Sequence, residues 1–224
     1  MPLSLRRGSG SLRARNSRRM LHPSQRPFSQ ACENNKQPIL ELLSAWLRAD
    51  DTVLEIGSGT GQHLRFFAEQ LPQVNWQPSD MAANLTAVRS WCDDYEGGNL
   101  LPVQELDVRQ NPWPIAIPSA VYSANTLHIM AWSSVVELFM ALGRGAPSDS
   151  LLFIYGPFNY AGCYTSESNA RFDQWLLERD ANSAIRDFEA VCELATAAGY
   201  TLLDDVAMPA NNRFLVWRQL LTSQ

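Results

Sequence analysis

Residues 51–67, DTVLEIGSGTGQHLRFF, constrain the fold more than any other stretch of the chain. A run of strand-formers ends at Gly57, Gly59 and Gly61, and an apolar helical pattern follows directly. Glycine loses more conformational freedom on folding than any other residue, so three in five positions need a reason. Either the chain turns sharply from strand to helix for packing alone, or a ligand lies against bare backbone. The second possibility has a physical basis, because a helix N-terminus presents unpaired N–H groups and partial positive charge to an anionic group.

The rest of the chain repeats that strand-to-helix step. NNKQPILELLSAWLRAD, from residue 34, predicts a first helix with Pro38 in its first turn. TVLEIG, VNWQPSD, LLPVQELDV, SAVYSANTL and SLLFIYGPF read as five strands, with helices expected over TGQHLRFFAEQL, MAANLTAVRSWCDD and SVVELFMALGRGA. Such alternation implies right-handed crossovers and a mainly parallel sheet with helices on both faces. After SAIRDFEAVCELATAAGY, a helix stopped by Gly199, TLLDDVAMP and RFLVWRQL predict an antiparallel pair joined through Pro209 to Asn212. The long segment 156–182 between the fifth strand and that helix reads as a lid-like insertion.

Charge divides the chain unevenly. Residues 1–32 hold seven arginines and no acid, leaving 11 basic residues against 23 acids in residues 33–224, a charge of −12. A body that acidic gains little from phosphate backbones, so no nucleic-acid partner is expected. No apolar stretch is long enough to span a membrane. Cys32, Cys92, Cys163 and Cys192 are dispersed without a CxxC pair, and the three histidines are scattered, so no metal site is expected. The cysteine usage fits a reducing, cytoplasmic setting. The basic leader at 1–32 is read as disordered and silent; its alternatives are a mitochondrial presequence, a nucleic-acid-touching tail, or upstream sequence before a start at Met20. The domain proper is set at 33–224.

Spacing separates two nucleotide cofactors. A dinucleotide fingerprint, GxGxxG, needs glycine at position 62, where Gln62 stands, so an NAD-dependent oxidoreductase is disfavoured. Gly57-Ser58-Gly59-Thr60-Gly61 is GxGxG, with Glu55 inside the preceding strand. Asp80 ends the second strand 19 residues beyond Gly61, placed to accept both hydroxyls of a ribose. Asp107 ends the third strand, where it can accept from an adenine amino group.

With those residues in place, the chain resembles the class I S-adenosylmethionine-dependent methyltransferases over roughly residues 34–220, VLEIGSGTGQH being close to their first motif. More narrowly, ACENNKQPILELL, WQPSDM, NTLHIMAW, YGPFNY and MPANN resemble domain-of-unknown-function family 938, the methyltransferase-like protein 26 group. Asn34 stands where that family often has arginine. The resemblance implies an α/β, doubly wound, Rossmann-like seven-stranded sheet in the order 3-2-1-4-5-7-6, with strand 7 antiparallel. It also implies S-adenosyl-L-methionine as cofactor, with Glu55, Gly57 and Gly59 flanking its methionine part and Ser58 and Gly61 among its binding residues. Asp80 would then hold the ribose, Met81, Asp107 and Val108 border the adenine, and Asn125 face the reactive methyl. The acceptor would be a small molecule or a protein side chain; the alternative is a non-catalytic S-adenosylmethionine-binding or partner-binding module that keeps the fold.

Catalytic candidates carry ordinary alternatives. His128 follows the fourth strand at the ligand edge and is a candidate base, or a histidine satisfied by local backbone. Tyr155, Tyr160 and Tyr164 line an acceptor pocket or pack the insertion. Asn35 and Lys36 are active-site candidates, against a helix cap and a solvated side chain. Asn211 and Asn212 read as turn residues, and Trp132 as core-edge packing or an aromatic wall.

Overall fold

The computed structural model describes residues 25–220, so most of the Arg-rich leader lies outside the described residues. Helix α1 (Gln30–Trp46) begins earlier than the apolar pattern indicates. The Ser29 side chain accepts from the Cys32 amide and caps it, which puts Pro38 inside the helix and Asn35 away from its start. An interior proline costs roughly 3 kcal/mol; burial of Ile39, Leu40 and Leu43 beside it offsets that cost. Helix α1 thus starts three residues before the boundary set at residue 33.

The βα units follow as β1 (Thr52–Ile56), α2 (Gln62–Gln70), β2 (Asn75–Asp80), α3 (Leu85–Cys92), β3 (Gln104–Glu105), β4 (Ala120–Ala124), α4 (Trp132–Gly145) and β5 (Leu151–Gly156). Then come β6 (Phe158–Asn159), α5 (Glu167–Arg179), β7 (Arg186–Asp187), α6 (Phe188–Ala197), β8 (Tyr200–Met208) and β9 (Asn212–Gln219). The main sheet runs β3-β2-β1-β4-β5-β9-β8, parallel except for β9, which is antiparallel to β5 and β8. This is the order expected for seven strands, since β8 and β9 are the sixth and seventh of the sequence reading.

Two elements differ from expectation. The third strand pairs only over two residues, beyond an isolated bridge from Trp76 to Leu100, because Pro102 has no N–H to give the ladder. The insertion is not a bare loop: β6 pairs with β7 in a small separate sheet, and α5 fills the span between them. Arg186 ties this unit down, its Nε donating to the Leu127 carbonyl at 3.0 Å and its terminal nitrogen to Met130 and Asn182 carbonyls.

Strand alternation sends side chains to two cores. Leu54, Val121, Leu152, Leu215 and Trp217 pack with α4 and α6 on one face. Val53, Tyr122, Phe153, Phe214 and Val216 pack with α1 and α2 on the other. Among the described residues no helix is long and apolar enough to cross a membrane, and no His, Cys, Asp or Glu cluster of three is arranged to hold a metal ion.

Candidate functional site

A cleft of about 440 Å³ opens beyond the carboxyl ends of β1, β2, β3 and β4. Ligands of doubly wound sheets occupy this edge. Gly57, Gly59, Asp80, Met81, Asp107, Val108 and Asn125 line it, together with Ile129 and Met130 from the turn after β4. Seven of the ten residues expected around a cofactor therefore come together. Glu55, Ser58 and Gly61 do not line the cleft.

Each of those three has another task. Ser58 clamps the glycine turn to β2: its amide donates to the Ser79 carbonyl at 3.0 Å, and its hydroxyl accepts from the Ser79 amide at 3.1 Å. Gly61 has φ +87°, and an added Cβ would lie 2.9 Å from the Val88 carbonyl oxygen, so this glycine serves the approach of α2 to α3. Glu55 belongs to a buried polar chain behind the cleft, described below. Gly59, at φ +59°, has open space where a Cβ would be. Bare backbone at the cleft wall is Gly59's contribution.

Asp80 is tightly held. Its Oδ2 accepts from the Gly59 amide at 2.7 Å, while Oδ1 accepts from the Met81 amide at 2.7 Å and the Asn84 side chain at 2.8 Å. A carboxylate offers about four lone-pair sites, so one remains on Oδ2. A ribose presenting two hydroxyls would need Asn84 to give way. Asp107 is gripped by Arg109, whose Nε lies 2.9 Å from Oδ1, and this pairing holds the carboxyl below its ordinary range. Asn125 adopts a left-handed φ of 54°, with its amide bonded to the Tyr155 carbonyl at 2.8 Å.

The four catalytic candidates separate. His128 is buried behind the cleft, edge-on to Phe172 of α5, and burial lowers its pKa to about 4. It is a neutral imidazole that does not line the cleft. Lys36 pairs with Glu33 and covers the Phe66 ring on the outer face of α1 and α2. Asn35 and Tyr155, by contrast, come together: burial raises the Tyr155 pKa, and the side chains of Asn35 and Asn212 beside its hydroxyl work against that rise. Tyr160 and Tyr164 pack the insertion, through hydrogen bonds to Asp205 at 2.8 Å and Asp173 at 2.7 Å. Trp132 lies under the Arg186 guanidinium, outside the cleft lining.

Behind this point runs a buried polar chain that the sequence did not announce. The Asn35 Oδ1 lies 2.6 Å from His63 Nε2, so that nitrogen carries the proton and Nδ1 accepts from Tyr122 at 3.3 Å. Burial holds His63 neutral, with a pKa of about 4. Glu55 lies 4.0 Å from His63 Nδ1, and its Oε2 has no hydrogen-bond partner. Burial raises the Glu55 pKa to about 8.

A family model described as "Protein of unknown function (DUF938)" matches residues 26–219. The chain belongs to this family. Among solved structures, the DUF938 chain is similar to an O-methyltransferase family protein from Burkholderia thailandensis, with TM-score 0.72, 17% identity, and coverage of 87% of this chain and 58% of the other. Human N-acetylserotonin methyltransferase in complex with SAM gives TM-score 0.72 and 14% identity, covering 85% and 53%. An O-methyltransferase family 2 protein from Planctomyces limnophilus in complex with apigenin gives TM-score 0.69 and 13% identity, covering 85% and 60%. The DUF938 chain thus has the Rossmann-like methyltransferase fold, and it spans between 53% and 60% of the length of these three proteins.

Proposed function

We propose that this DUF938 protein binds S-adenosyl-L-methionine in the 440 Å³ cleft and transfers its methyl group to a small molecule or a protein side chain. The observation that carries the reading is the joining of Gly59's bare backbone to a strand-end carboxylate, Asp80, by a 2.7 Å hydrogen bond in the cleft wall. The groups present fit a nucleoside-bearing ligand. Asp80 keeps one lone-pair site for a ribose hydroxyl, Met81 and Val108 offer apolar walls to a base, and Asn125 borders the opposite end. When bound, the cofactor would supply an electrophilic methyl group with a good leaving group.

The chain's own residues then have mainly to hold two reactants in line, which is worth roughly 7–11 kcal/mol of barrier. No base need touch the acceptor, consistent with His128 lying behind the cleft. The acidic body argues for an acceptor other than nucleic acid, and the dispersed, unpaired cysteines for action in the cytoplasm. Isothermal titration with S-adenosylmethionine and S-adenosylhomocysteine tests the first step. Saturable binding supports the reading, and absence of heat and of saturation at millimolar ligand sinks it. A screen of metabolite extracts with isotopically labelled methyl donor tests the second.

A further inference from the structure

A second pocket, of about 340 Å³, lies along the same sheet edge, between the insertion and the β8–β9 turn. Its walls include Tyr160, Thr165, Met208, Asn211, Asn212 and Arg213. Strand β5 alone separates it from the end of β4 at the cleft. The Asn125 amide, at the cleft, bonds the Tyr155 carbonyl of β5 at 2.8 Å, and β5 in turn pairs Gly156 with Arg213 of β9, at the pocket.

The hydrogen-bonding capacity left in this pocket defines its ligand. Arg213 is neutralised by Asp205, with Nε to Oδ1 at 2.7 Å and a second bond to the Asp205 carbonyl at 2.8 Å. The Tyr160 hydroxyl is committed to the same carboxylate, and its ring is stacked on Phe188 with Arg213 over it. No free charge and no open aromatic face remain there. The side-chain amide nitrogens of Asn211 and Asn212 donate to Ser168 and to the Pro209 carbonyl. Their Oδ1 atoms accept from no group among the described residues. Thr165 Oγ1 accepts from Asn169 at 2.9 Å, which leaves its own proton to donate. Ala210 and Asn211 both hold a left-handed φ of 58°, a conformation costly for alanine, so the turn carrying these carbonyls is fixed in an uncommon shape.

We propose that this pocket receives the methyl acceptor, and that the acceptor is a small uncharged molecule bearing hydroxyl or amide N–H groups. The assignment rests on the methyl-transfer reading of the adjoining cleft. Two carbonyl oxygens call for donors on the ligand. A carboxylate would find no free cation and an ammonium no free anion, because Arg213 and Asp205 are taken by each other and by Tyr160.

The test uses one ring with different substituents. Ligand-observed saturation-transfer NMR compares cyclohexane-1,2-diol and cyclohexanecarboxamide with cyclohexanecarboxylate and cyclohexylammonium, in the presence of S-adenosylhomocysteine. The two neutral probes should bind and the two charged ones should not. Asn211→Gly keeps the left-handed backbone and removes a carbonyl, so diol affinity should fall about tenfold. Asn211→Asp adds a negative charge at the same place and should gain the ammonium probe. Calorimetry with S-adenosylhomocysteine, run on the same samples, should be unchanged in both variants. Normal S-adenosylhomocysteine binding with no neutral probe bound, or with charged and neutral probes bound alike, overturns the pocket assignment and leaves the cleft reading standing. Failure of S-adenosylhomocysteine to bind the unmodified protein overturns the cleft reading and the acceptor role together.

Discussion

Replacing Glu55 with glutamine should change how stability depends on pH more than it changes stability at any single pH. The carboxyl is 1% exposed, one of its oxygens has no partner, and burial raises its pKa from 4.5 to about 8. The folded protein therefore holds this proton more tightly than the unfolded chain. That contribution is fully present below pH 4.5 and is lost as pH rises through 8. At about 1.4 kcal/mol per unit, the whole shift corresponds to roughly 5 kcal/mol, and the loss between pH 5.5 and 7.5 to about 3 kcal/mol. A glutamine side chain does not titrate, so the Glu55→Gln variant lacks this slope. Urea unfolding of both proteins at pH 5.5, 6.5, 7.5 and 8.5 gives the difference directly, and every other titrating group cancels from it. The variant should gain on the parent by about 3 kcal/mol from pH 5.5 to 7.5, whatever its offset at the starting pH. A difference that stays flat across that range would refute the claim that Glu55 is buried as a neutral acid.

Three further outcomes are expected from substitution, and one from pH alone. Gly61→Ala drives a methyl group against the Val88 carbonyl and should cost about 2–3 kcal/mol of stability, read by urea unfolding. Gly59→Ala meets only open space, so it should cost about 1 kcal/mol for its left-handed backbone while weakening S-adenosylhomocysteine binding at least tenfold, read by calorimetry. Asp80→Asn sets an amide against three existing donors and removes a ribose acceptor; donor affinity in the same calorimetry should fall by at least about tenfold, a loss of roughly 1.5–3 kcal/mol. His63 and His128, both lowered to about 4 by burial, contribute stability that is present above pH 6.5 and lost as pH falls through 4. Combined with Glu55, this places the stability maximum near pH 6.5 in thermal melts, with limbs of similar slope on either side that steepen only below about pH 4.5 on the acid side.

The sheet was legible because alternating strands and helices leave few permitted topologies. The strand-end positions of Gly59, Asp80, Asp107 and Asn125 followed from that order, since the ends of parallel strands converge on one edge. Tertiary detail was not legible. GxGxG does not say which glycine faces a ligand and which faces α3, because both need a positive φ. Asn35 read as a helix cap because the true cap, Ser29, precedes a polar first turn that carries no apolar periodicity. The partners of Asp107 and Tyr155 lie on Arg109, Asn35 and Asn212, and only folding makes the last two neighbours. Arg186 gave no signal either, since its partners are carbonyls of a distant turn.

Gln62, which spoke against a dinucleotide, has a positive role of its own. Its side chain accepts from the Ser29 amide and donates back to the Ser29 carbonyl at 3.4 Å, while Arg26 pairs with Asp94 and the Trp91 indole donates to the Pro27 carbonyl at 2.7 Å. The stretch leading into α1 is thereby buckled onto the first residue of the helix that follows the glycine turn. Ordering one stiffens the other, so occupancy of the cleft should slow proteolysis around residues 26–30, and cutting there should weaken occupancy by the same free energy.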